Sequence, residues 1–372
     1  MTRDTHNTEL RKQVGQLIVM GFDGTEMSSR LESLITRIRP GGIVLFARNI
    51  VTPQQTHELL KSCQKLVSTP MFLCVDMEGG LVDRLKKAIT PAPSPEAVFR
   101  AGDRKLFRKH GRLIGAECRA VGFNVDFAPV SDLAFEASRS VMASRAVSAS
   151  PKETVVYVRE FLRGLGDAGV LGCGKHFPGL GEGKLDSHHD LPVIEKPWKK
   201  LWAEDLYPYR ALRRDYPFVM VCHAAYPAVT KNRTPASMSP DWITGVLRNK
   251  IGYRGLVISD DLEMGGVLTA ATIQDAAAEH IAAGGDIALI CHREDFIVNA
   301  YETMIQRAET DRRFARRVKE SAQRVLAFKK KARGLKRFPP PPKPQAIERL
   351  TRQLWEFSEQ VRLDALGQEE QA

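Results

Sequence analysis

The chain has 372 residues, 43% of them hydrophobic, and a formal net charge of +11, enough for one large core or two modest ones. Residues 1–7 are polar with no apolar h-region, and no stretch approaches roughly eighteen consecutive apolar residues, so neither a secretory signal nor a membrane span is expected. The charge excess is local, because residues 311–337 hold twelve Lys or Arg against Asp311 and Glu320. An anionic partner would be one reading. A solvated outer helix face is favoured, since no zinc-finger spacing, aromatic RNA-binding signature or wing-like motif accompanies the charge. No nucleic-acid or membrane partner is therefore expected. The six cysteines, Cys63, Cys74, Cys118, Cys173, Cys222 and Cys291, form no CxxC pair. Free thiols in apolar runs are the usage of a cytoplasmic protein.

In chain order, Leu10, Val14, Leu17 and Ile18 have helical spacing and lead into the apolar run 17–22. Further apolar runs follow at 41–46, 71–76, 123–129, 169–177, 218–224, 255–261 and 287–292. They are continuous rather than alternating, as expected of parallel strands buried on both faces. Amphipathic stretches separate them, such as Leu31, Leu34, Ile35, Ile38 and then Leu59, Leu60, Cys63, Leu66, Val67. Eight such strands alternating with helices predict an α/β fold, a (β/α)₈ barrel of the TIM type. A doubly wound sheet is the competitor, but no GxGxxG opens a helix after a strand in the first half. Phe314, Val318, Ala322, Val325 and Leu326 mark a final barrel helix. The barrel is placed at 1–337, a stiff Pro-rich linker at 338–346, and a C-terminal helix with a frayed end at 347–372. Ile347, Leu350, Leu354, Phe357 and Val361 give that last helix one apolar face, expected to pack on the outside of the barrel.

Polar residues gather at the ends of the runs: Asp76, Glu78, Asp126, Lys175, His176, His223, Asp260 and Asp261. In a barrel the C-terminal strand ends carry the site. Asp260 and Asp261 are adjacent, so strand alternation predicts that one faces the site and the other is a structural partner. The stretch 175–190, KHFPGLGEGKLDSHHD, is glycine-rich and ends in Asp186, Ser187, His188. A carboxylate two residues before an imidazole can orient the ring and stabilise its protonated form. A strand-end carboxylate with a separate proton donor is the equipment of retaining glycoside hydrolysis. His223 reads as a core or supporting histidine.

At this point the chain resembles a bacterial β-N-acetylhexosaminidase of glycoside hydrolase family 3, in its short single-barrel branch. The resemblance runs through VDMEGGLVDRL (75–85), NVDFAPVSD (124–132), KHFPGLGEGKLDSHHDLPVI (175–194), VMVCHAAYP (219–227) and LRNKIGYRGLVISDDLEM (247–264), and covers about residues 9–330. It implies Asp260 as nucleophile, His188 as general acid/base and Asp186 as its dyad partner. It also implies Asp76, Arg84, Arg145, Lys175 and His176 as the residues that hold the sugar. The chain departs from the family's usual residues at Met77, Leu81, Ser144, Val147 and Leu180.

The resemblance implies a retaining exo-β-N-acetylglucosaminidase acting on muropeptide fragments, with GlcNAc linked to anhydro-N-acetylmuramic acid, in cell-wall recycling. No cofactor or metal is called for, and a monomer is expected. Two alternatives stand beside it. One is a metal-dependent barrel hydrolase, drawing on His176, His188, His189, His223, Asp186 and Asp260. The other is a β-glucosidase-like or N-acetylglucosaminide phosphorylase-like activity on the same family scaffold.

Overall fold

A computed structural model of the chain describes residues 3–182 and 191–369. Among the described residues there are ten strands: β1 (Ile18–Met20), β2 (Gly42–Val44), β3 (Phe72–Val75), β4 (Met77–Gly79), β5 (Val82–Asp83), β6 (Val125–Asp126), β7 (Leu171–Phe177), β8 (Phe218–Val221), β9 (Leu256–Asp261) and β10 (Ile287–Ile290). Eight of them close a barrel in the order β1-β2-β3-β6-β7-β8-β9-β10, and β10 returns to β1. Every barrel pairing is parallel. Each of the eight apolar runs supplies one barrel strand. The fold is the (β/α)₈ barrel that the continuous runs predict, and both faces of its strands are buried.

The connecting helices start where the sequence offers caps. Ser28 accepts from Leu31 N ahead of the helix Ser29–Ile38, and Thr52 and Ser150 do the same for Pro53–Lys65 and Pro151–Asp167. Proline at the first turn of the latter two loses no helical hydrogen bond. Leu31, Leu34, Ile35 and Ile38 all face inward, as their spacing predicts. The basic helix Arg312–Lys331 buries Phe314, Val318, Ala322 and Val325 and turns most of its charge outward. Lys329 is the exception. Its Nζ is buried at the base of the barrel, donating to Gln16 Oε1 at 2.8 Å and Gly41 O at 2.7 Å, over the Phe72 ring. Burial pushes its pKa down to about 7.

Two departures from regular pairing position the site. Gly174 and Phe177 of β7 pair with Val219 and Val221 of β8, so β7 carries one extra residue at 175–176. Ile258 and Asp261 of β9 pair with Ile287 and Leu289 of β10, so β9 carries one extra residue at 259–260. Such bulges break the two-residue alternation and re-aim side chains. The other device is the β4–β5 hairpin, antiparallel and outside the barrel sheet. Gly79 and Gly80 turn it at φ +90° and +62°, and a Cβ on Gly79 would lie 2.3 Å from Pro93 O.

The C-terminal helix runs from Pro344 to Glu369, so helix begins three residues before Ile347. Its Leu350, Leu354, Phe357 and Val361 are buried. Phe357 lies 5.8 Å from His110, and Lys109 donates to Gln360 at 2.8 Å, which seats the helix on Arg104–Val121. The Pro-rich segment before it also touches the barrel, with Pro339 O 3.0 Å from His57 Nε2.

Candidate active site

At the C-terminal end of the barrel, carboxylates and cations alternate. Asp76 follows the last residue of β3, and Lys175 reaches it from the β7 bulge with Nζ 2.8 Å from Oδ1. The same Nζ lies 2.7 Å from Glu78 Oε1 in β4. Arg145 clamps Glu78 through two parallel bonds of 2.7 and 2.8 Å. Arg84, just past β5, places a guanidinium nitrogen 3.9 Å from Asp76 Oδ2. The Glu78 side chain has no exposure at all and that of Lys175 has 3%. Burial alone would raise the pKa of Glu78, but Lys175 and Arg145 hold it well below the usual carboxylate range. Burial would lower that of Lys175, and Asp76 and Glu78 reverse this and hold it above the ordinary lysine value. Glu78 and Lys175 are therefore both charged at neutral pH.

His176 is the second residue of the same bulge. Its Nδ1 is 2.7 Å from Asp132 Oδ2, and its backbone N–H donates to that oxygen at 3.1 Å. The other oxygen of Asp132 accepts from Leu180 N at 2.7 Å. One carboxylate thus sets both the ring and the course of the chain after β7.

Asp260 and Asp261 both line the cavity, contrary to the expectation from alternation. The bulge is the reason, because it adds a residue where the strand would have turned one carboxylate away. Asp260 accepts from Asp261 N at 2.9 Å. Burial pushes its pKa up, but His176, His223, that backbone N–H and Lys175 outweigh burial and leave it below the ordinary aspartate value. His223 stands behind the strand end, fully buried, its Nδ1 2.8 Å from Ser237 Oγ and its Nε2 2.9 Å from Asp261 O. Burial lowers its pKa. Both of its ring nitrogens are taken up by these neighbours. His292, just past β10, brings Nε2 to 3.5 Å from Asp261 Oδ2 and stacks on Phe46 at 5.4 Å. The Asp261 contact raises its pKa.

These groups surround a cavity of about 420 Å³ that Asp76, Arg84, Arg145, Lys175, His176 and Asp260 line together. Six of the eight residues expected from the sequence therefore meet in one place. The other two, Asp186 and His188, lie outside the described residues. The chain on either side of them is anchored: Lys196 Nζ sits 3.2 Å from Glu182, 2.6 Å from Glu204 and 2.6 Å from Asp205. Sequence reasoning gave no role to Glu78, Asp132 or His292. Glu78 and Asp132 lie inside quoted motifs, and their only signal was a carboxylate beside a strand end. Among the described residues, no group of three or more His, Cys, Asp or Glu could hold a metal ion.

Residues 9–328 match the model of the glycosyl hydrolase family 3 N-terminal domain. The chain belongs to glycoside hydrolase family 3. It is 36% identical to a protein of Alkalilimnicola ehrlichii named beta-hexosaminidase, over 75% of this chain and 82% of that one. A beta-hexosaminidase of Aromatoleum aromaticum is 37% identical over 76% of this chain and 80% of its own. Among solved structures, a family 3 beta-N-acetylglucosaminidase from a Paenibacillus species superposes with a TM-score of 0.89 at 32% identity, covering 95% of this chain and 68% of that one.

Proposed function

We propose that this family 3 enzyme is a retaining exo-β-N-acetylglucosaminidase that removes terminal GlcNAc from muropeptide fragments during cell-wall recycling, working as a cytoplasmic monomer without metal or cofactor. The observation that carries the reading is the Asp260 carboxylate. It is ionised, fixed on a strand end, and faces the cavity into which the hydroxyl-binding array also points. Relatives named beta-hexosaminidase support the N-acetylhexosaminidase activity. Glu78 and Val82 bring the β4–β5 hairpin to the wall of the same cavity.

In the proposed mechanism Asp76, Arg84, Arg145, Lys175 and His176 bind the sugar hydroxyls, with charge-assisted bonds that fix the ring. Asp260 attacks the anomeric carbon as the bond to the leaving oxygen breaks, and His188 gives its proton to that oxygen. Water then attacks the same carbon and His188 takes the water's proton. The bond to Asp260 breaks and the carboxylate is restored. Asp186 orients His188 and stabilises the imidazolium. The catalytic unit is taken as residues 1–337, with 338–346 as linker and 347–372 as a separate helix.

The test is purified protein with 4-nitrophenyl β-GlcNAc and the matching β-glucoside, each with and without phosphate, followed by GlcNAc-anhydro-N-acetylmuramic acid. Free GlcNAc from the first and last substrates, independent of phosphate, is the expected result. Equal turnover of the glucoside, or a GlcNAc phosphate product, would replace this reading with one of the alternatives.

A further inference from the structure

The cavity has an inner part, lined by the residues assigned to the sugar hydroxyls, and an outer part beyond Arg84. Side-chain exposure rises outward, from 3% at Lys175 and 16% at Asp76 and Asp261 to 32% at Arg84 and 48% at His292. The inner wall is charged, with Lys175 and Arg145 paired to Asp76 and Glu78, and suits the hydroxyls of one terminal sugar. The outer wall differs in kind. The His292 ring stacks on Phe46 at 5.4 Å with the planes 25° apart, so Phe46 backs one face of a half-exposed imidazole. Arg48 and Arg84 also lie over the Phe46 ring, with their guanidinium carbons 4.8 and 5.7 Å from its centroid, and Arg48 donates to Cys291 O at 2.6 Å. Asp261 and Glu263 fix His292 from the other strand: Asp261 through Nε2, and Glu263 by accepting the His292 N–H at 2.6 Å. A half-exposed ring held by an aromatic, a carboxylate and its own backbone is more constrained than surface histidines need be.

We propose that the His292 ring, backed by Phe46, forms the leaving-group subsite, a stacking surface for the second pyranose ring of the substrate, with His292 as a specificity-determining residue. The inference rests on the glycosidase reading above. A sugar held inside with its anomeric carbon at Asp260 must project its leaving group outward, and Asp261 and His292 are the next groups on that wall. A pyranose presents C–H bonds on its face and hydroxyls at its edge. A flat ring takes the first by dispersion, and an imidazole donor takes the second. A small alkyl or aryl leaving group offers less of either.

Substrates with the same GlcNAc but different leaving groups test this. His292→Ala is expected to lower kcat/KM on a GlcNAc-terminated disaccharide by at least tenfold and on methyl β-GlcNAc by less than threefold. Inhibition by free GlcNAc, which occupies only the inner part, should stay within twofold. His292→Gln, which keeps a donor, should recover part of the disaccharide activity, and Phe46→Ala should reproduce the pattern of His292→Ala. Equal losses on both substrates, or weakened inhibition by GlcNAc, would make His292 a structural residue and overturn the proposal. So would unchanged disaccharide activity in His292→Ala. Wild-type protein inert on every GlcNAc substrate would instead remove the glycosidase reading, and this inference with it.

Discussion

Replacing Glu78 by Gln keeps the shape of the side chain and removes the charge that Arg145 and Lys175 share. The carboxylate is inaccessible to water and takes three short contacts. Removing one member of a buried charged group strands the others, at a typical cost of about 3–5 kcal/mol. Unfolding entropy of about 2.1 cal/mol/K per residue amounts to ~0.8 kcal/mol/K for a chain of 372 residues. The melting temperature should therefore fall by about 4–6 °C, read by calorimetry. Arg145 and Lys175 also lose their aim, and misplacement by about 1 Å costs roughly 10²-fold in rate. The pH dependence has a definite sign. The folded pKa of Glu78 lies below its ordinary value of 4.5, so its contribution is complete above that pH and is lost as pH falls toward the folded value. The gap between wild type and Glu78→Gln should be full at neutral pH and narrow on acidification below pH 4.5. A variant that melts within about 1 °C of wild type at pH 7, with unchanged kcat/KM, would refute the claim that this carboxylate organises the site.

Asp260→Ala should lower kcat by roughly 10⁴-fold or more with the fold intact, and a 2-fluoro or 5-fluoro glycosyl donor should label Asp260; label on Asp261 would reassign the nucleophile. His188→Ala should lose more activity on a disaccharide than on an activated phenyl glycoside, and azide should rescue it as the glycosyl azide. Equal loss on both without rescue would remove His188 from proton transfer. Truncation after Arg337 exposes the surface that Leu350, Leu354, Phe357 and Val361 cover, so solubility and melting temperature should fall while turnover of small substrates persists. A folded but inactive truncation would show that the tail reaches the chemistry.

The barrel was legible because each strand is buried on both faces and so reads as an unbroken apolar run, from 17–22 to 287–292. The helices were legible because Leu31, Leu34, Ile35 and Ile38 must share a face to be buried. What escaped was anything set by pairing across the barrel. One extra residue in β7 or β9 leaves no mark on composition, yet it decides that Asp261 joins Asp260 at the cavity. Glu78 meets Arg145 from 67 positions away, and Asp132 meets His176 from 44. A carboxylate near a strand end looks the same whether it binds substrate, caps a turn or holds another side chain. Asp76, Asp132 and Asp260 look alike in the sequence and differ only in their partners.

The ladder of charges in the inner cavity has a further consequence. Arg84, Arg145 and Lys175 face Asp76, Glu78, Asp260 and Asp261 across the cavity, so cations and carboxylates nearly balance there. An uncharged sugar can enter without capturing or expelling a small ion. Ionic strength should then leave KM for such a substrate almost unchanged, even though the molecule carries a net +11. That excess lies mostly in residues 311–337, on a helix that runs along the outside of the barrel, where salt screens it without reaching the sugar.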